Sequence, residues 1–75
     1  MPQHKLKVLA NLSQASRVVL RHAILLERYG HHRYVLNISG DLIREALVQG
    51  VIARGRDNLV CLTVKGRYYA SLLAA

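Results

Sequence analysis

With 75 residues the chain has the length of one small domain, and its single cysteine excludes an internal disulfide as the device that holds it together. Eleven Lys and Arg stand against four Asp and Glu, a formal charge of +7 at pH 7; that excess repels itself in a compact fold and points to an anionic partner, nucleic acid before an acidic protein surface or an anionic membrane. Eight of the cations are arginine, the better residue for bidentate phosphate and base contacts, and an apolar fraction of 52% is high enough for so small a domain to point to a dimer that buries the surplus.

Residues 1–11 read as an N-terminal arm, charged and without periodicity from Met1 to Lys7, and residues 12–75 as a single domain. The apolar run near the N-terminus is too short and interrupted for a secretory signal or a membrane span, and one thiol suits a reducing compartment, so a cytoplasmic protein is expected. Ser13 to Tyr29 is the strongest helix. Ser13 can cap it and Gly30 can stop it. Leu12, Ala15, Val19, Ala23 and Leu26, with Leu20 alongside, form its buried stripe, while Arg17, Arg21 and Arg28 fall on another face. Val18 and Leu25 make a second apolar strip.

His31 to Ile38 alternates, with Tyr34, Leu36 and Ile38 on one side and Arg33, Val35 and Asn37 on the other. Period two favours a strand, with a short helix as the rival. Ser39 to Gln49 is a second helix with Leu42, Ile43, Ala46 and Leu47 inward and Arg44, Glu45, Val48 and Gln49 outward; Gly50 ends it. Val51–Ala53 and Leu59–Val64 read as strands joined by a turn of "RGRDN", whose Gly, Asp and Asn accept positive φ. Lys65–Gly66 breaks the second strand, and Arg67 to Ala75 closes as a short helix. The expected class is α+β, in the order helix, strand, helix, strand, strand, helix, with Ile43, Leu47, Ile52 and Leu62 meeting the stripe of the first helix.

The run from Leu42 to Leu73 resembles the C-terminal half of a winged helix-turn-helix domain. Gly50-Val51-Ile52 matches the step from helix to strand, Ala53–Asn58 the wing tip, and Leu62-Thr63-Val64-Lys65-Gly66-Arg67 the exit from the wing into a terminal helix. A full domain has two helices between the first strand and the wing, and this chain has only residues 39–50 there. Either residues 31–37 are a degenerate second helix, or the motif is trimmed to one.

The resemblance implies a small DNA-binding protein, a transcriptional regulator acting as a dimer on double-stranded DNA. Arg54 and Arg56 are the expected wing contacts, and Arg44 and Gln49 the outward residues of the second helix suited to base edges. Arg17, Arg21, Arg33, Lys65 and Arg67 complete the expected DNA-contacting set. The alternative is a protein-interaction module, an inhibitor or adaptor docking on an acidic surface of a partner. Four acids and one thiol offer no paired carboxylates and no ordered triad, so neither enzyme activity nor a cofactor is expected. His31 and His32, with His22 and His4, read as surface imidazoles rather than metal ligands, because adjacent residues on a strand point to opposite faces. Cys61, in an apolar run, reads as a buried, inert thiol.

Overall fold

The computed structural model describes residues 3–74, and in chain order they form helices α1 (Gln3–Ala10), α2 (Gln14–Arg28) and α3 (Gly40–Gln49), strands β1 (Ile52–Arg54) and β2 (Val60–Leu62), and helix α4 (Val64–Ala74). The α+β class expected from the sequence is the one observed. Helices α3 and α4 both pack on α2, which carries the stripe read from its periodicity. Leu12, Ala15, Val19, Leu20 and Ala23 are buried and Leu26 is half-buried. Burying a side chain of the size of Leu20 contributes roughly 1.5–3 kcal/mol, so this stripe outweighs any single polar contact in the molecule. Tyr34, Leu36, Ala46, Val51, Ile52, Val60, Leu62, Tyr69 and Ala70 close over it. On α3 only Ala46 is fully enclosed; Leu42, Ile43 and Leu47 pack against the core half-buried.

The helix ends follow local chemistry. The Ser13 hydroxyl accepts from the Ser16 amide at 3.1 Å, and the Ser39 hydroxyl accepts from the Asp41 amide at 3.3 Å. Gly50 ends α3 in the left-handed conformation (φ 81°), where its amide donates back to Ala46 and Leu47.

Three expectations are corrected. The arm is helical from Gln3 to Ala10, with Leu9 buried and Val8 packed against the core; Val8, Leu9 and Leu12 carry a helical spacing that the surrounding charges mask. Met1 and Pro2, like Ala75 of the expected terminal helix, lie outside the described residues.

The expected strand at residues 31–38 is reduced to a single bridge, Tyr34 to Val60. Its alternation holds, with Tyr34 and Leu36 buried and Arg33, Val35 and Asn37 exposed, but pairing cannot spread. On one side the next hydrogen-bonded partner in register would be Asn58, held in a left-handed turn (φ 62°); on the other, His31 still donates to Leu26 at the end of α2 (3.1 Å). Residues 31–39 contain no helix, so one helix stands between the bridge and the hairpin. The observed order is therefore helix, helix, helix, strand, strand, helix.

The second strand stops at Leu62 and α4 begins at Val64, because Thr63 is an N-cap. Its hydroxyl accepts from the Gly66 amide at 2.9 Å and donates to the Gly50 carbonyl at 2.6 Å, and its amide donates to the Val51 carbonyl at 3.1 Å. Gly66 thus lies in the first turn of a helix rather than ending a strand. It is there because nothing larger fits: a Cβ would overlap the Val51 carbonyl oxygen and sit 2.8 Å from its carbon.

A glycine inside a helix ordinarily costs up to about 1 kcal/mol against alanine. For Gly66→Ala the sign should reverse, with a loss of roughly 1–3 kcal/mol as backbone is forced apart. Gly40→Ala, at the start of α3 with nothing within 4 Å of the new methyl, should be neutral or stabilising. Denaturant unfolding of the two variants checks this; Gly66→Ala as stable as the parent would show that α4 does not press on Val51.

Candidate nucleic-acid interface

The candidate surface is built on the β1–β2 hairpin. Ile52 pairs with Leu62, Ala53 with Cys61 and Arg54 with Val60. Ile52 and Leu62 are buried, so the alternation of a strand sends Ala53 and Cys61 to the outer face. Cys61 is accordingly half-buried, not enclosed as expected. The connection is a tight turn over Arg56–Asn58. Asp57 (φ 58°) and Asn58 (φ 62°) take the left-handed positions, which Asp and Asn tolerate better than other side chains. Gly55 does not; its φ is −110°. The turn is closed by the Gly55 amide donating to Leu59 (2.7 Å) and the Leu59 amide to Arg56 (3.0 Å).

The Tyr34–Val60 bridge adds a third basic residue. The Tyr34 amide donates to Val60 at 3.1 Å and the Val60 amide to Tyr34 at 2.8 Å, which brings neighbouring Arg33 to the outer face of the hairpin. Arg33, Arg54 and Arg56 line one concavity of about 280 Å³, floored by Ala53, Leu59, Val60 and Cys61. Among the described residues no acid lines it, and none of the three guanidinium groups has a hydrogen bond or ion pair.

The other expected contacts separate by what they touch. The Arg17 guanidinium donates to the carbonyls of Leu9 (2.6 Å) and Leu12 (3.3 Å), capping the C-terminal end of α1. The Gln49 amide closes the α1–α2 turn, accepting from the Ser13 amide at 3.1 Å and donating to the Asn11 carbonyl at 2.6 Å; Gln49 is half-buried rather than outward. Lys65 donates to the Gln49 carbonyl at 2.8 Å, at the end of α3. Arg67 pairs with Glu27 at 2.9 Å, and the second Glu27 oxygen accepts from the Tyr34 hydroxyl at 3.0 Å. These four side chains build the fold. Arg44 makes only an exposed pair with Asp41 at 3.6 Å, a contact of little energy. Arg21 is exposed on α2 without a partner among the described residues and does not line the hairpin concavity.

Sequence reasoning assigned no role to Glu27, the acceptor that joins α2, the bridge and α4. Its partners are 7 and 40 residues away, and no local pattern announces them. His22, His31 and His32 are exposed, and the His4 side chain lies outside what is described. Among the described residues no three His, Cys, Asp or Glu gather, and no helix is long and apolar enough to cross a membrane. Of the surplus apolar residues, Val18 is half-buried, and Leu25 and Val48 are exposed. Tyr69 is buried and Tyr68 exposed.

Compared with known proteins, the chain gives no significant match to any family model, curated protein or solved structure.

Burial pushes the Tyr34 hydroxyl well above the ordinary tyrosine range, reinforced by its hydrogen bond to Glu27 and by that carboxylate's charge, against a smaller opposing pull from Arg67. A raised folded-state value favours the neutral phenol in the fold. Its contribution is complete below the unfolded value of about 10 and is lost as pH rises beyond it. The difference in unfolding free energy between the parent and Tyr34→Phe should hold constant from about pH 6 to 9 and shrink above about pH 10. Denaturant unfolding across that range checks it; a difference that stays constant into the alkaline range would contradict the coupling.

Proposed function

We propose that the chain binds double-stranded DNA in the manner of a small winged-helix protein, with the β1–β2 hairpin as a wing that grips the phosphate backbone. The observation that carries this reading is the convergence of Arg33, Arg54 and Arg56 on one acid-free concavity. Three arginines lining one depression raise its positive potential, and phosphates relieve that charge while accepting guanidinium hydrogen bonds. The outer face of α3 adds little to either base reading or backbone contact. It presents Asp41, Arg44, Glu45 and Val48, of which Arg44 suits a base edge and Val48 a thymine methyl, while the two acids oppose phosphate. Affinity in this reading comes from counterion release and discriminates weakly between sequences. A role in transcription regulation in the cytoplasm then rests on occupancy of DNA more than on a fixed operator.

Replacing Arg54 and Arg56 together with Ala should weaken binding to random duplex and to any chosen site alike. The slope of log affinity against log salt should flatten by about one unit per lost phosphate contact. Both residues are exposed in the hairpin, so the fold should survive. Fluorescence anisotropy over a salt series measures both quantities; unchanged affinity and slope would remove the wing from DNA binding.

A further inference from the structure

A second depression lies between α2 and α4. It is lined by Arg21, Ile24, Leu25, Arg28, Leu73 and Ala74 and has a volume of about 270 Å³. A separate depression of about 230 Å³, which includes Glu27, Arg67 and Leu62, adjoins it at Ile24 and Ala74. The floor of this furrow between α2 and α4 is apolar, and Leu25, in the last turn of α2, is 49% exposed. Arg21 and Arg28 are seven residues apart, two turns or about 10 Å along α2, and so flank Leu25 on one side of the helix. Both are exposed, and neither has a partner among the described residues. None of the six residues lining the α2–α4 furrow takes part in the wing.

Three occupants are conceivable, and charge selects among them. A second copy packed about a twofold axis would bring Arg21 and Arg28 against the same residues of its mate, in a chain already at +7. Duplex phosphates would satisfy the arginines but would lie on Leu25 and Leu73, leaving apolar surface against charge. A protein segment with an apolar side chain between two carboxylates two turns apart satisfies floor and rim together. We propose that the furrow between α2 and α4 docks an acidic amphipathic segment of a partner protein, its apolar side chain on Ile24, Leu25 and Leu73 and its carboxylates on Arg21 and Arg28. This site is separate from the DNA-binding wing and stands or falls without it.

The test is a nitrogen-15 NMR titration of the full chain with a synthetic helical peptide that carries leucines along one face and glutamates beside them, and with its counterpart having every Glu replaced by Gln. The glutamate peptide should shift resonances of Arg21–Tyr29 and Ala70–Ala74 and leave the hairpin still. Arg21→Gln with Arg28→Gln should weaken it about fivefold, the combined effect of two exposed ion pairs, and the Gln peptide should be weaker by a similar factor. The melting temperature of the double variant serves as the check on its fold. Equal binding of the two peptides overturns the proposal, as do shifts confined to Arg33, Arg54 and Arg56 or no shifts at all. Sedimentation showing a self-associated chain with Leu25 covered, or random duplex displacing the peptide from Arg21 and Arg28, also overturns it.

Discussion

The first turn of α4 rests on the backbone of Val51, and the rest of the molecule depends on that contact. Val51 is the residue between the left-handed end of α3 at Gly50 and the start of β1, so pinning it fixes both the helix and the hairpin. Gly66 permits the approach, and Thr63 ties its two sides, holding the Gly50 carbonyl with its hydrogen and the Gly66 amide with its lone pair. The segment Leu62–Arg67, read as the exit of a wing, is a run of consecutive attachments. Leu62 enters the core, Thr63 caps α4, Lys65 reaches the end of α3, Gly66 meets Val51 and Arg67 pairs with Glu27. The hairpin is held at its base by this junction and is free at its tip.

Contacts at this junction and at the end of α1 help a chain with four acidic residues accommodate eleven cations. Arg17 and Lys65 are held by backbone carbonyls rather than by carboxylates, each lying on the carbonyl end of a helix, where the dipole is negative. The part-buried hydrogen bonds of Arg17 contribute about 1.5–3 kcal/mol and the exposed one of Lys65 less than about 1 kcal/mol, enough at Arg17 to matter in a domain whose whole stability is of order 5–15 kcal/mol. One carboxylate, Glu27, serves both Arg67 and Tyr34. Cations on the wing and on the exposed side of α2 receive no such partner among the described residues, and these are the ones left for anions outside the molecule.

Features set by neighbours in the chain were open to reading from the residues alone. The α2 stripe, the Ser13 and Ser39 caps, the Gly50 stop and the "RGRDN" turn each depend on residues a few positions apart. What escaped depends on distance. Gln49 meets Asn11 across 38 residues and Arg67 meets Glu27 across 40, so both looked like free polar side chains. Arg17 is eight residues from Leu9, and its role required α1, which the charged N-terminus concealed. Alternation from His31 to Ile38 correctly sorted inward from outward residues. It could not show that the turn at Asn58 would leave Tyr34 the one bridged residue, nor that the bridge would carry Arg33 to the wing.

The division between cations that build the fold and cations that face a partner can be observed side chain by side chain. A nitrogen-15 spectrum of the arginine Nε–H groups, recorded with and without random duplex DNA, measures it directly. Arg17 and Arg67 should give sharp signals, slow to exchange with water, that stay in place when duplex is added. Signals of Arg33, Arg54 and Arg56 should exchange rapidly and move together on binding. Movement of Arg17 and Arg67 with the three wing arginines unaffected would contradict the division and place the DNA-binding surface elsewhere.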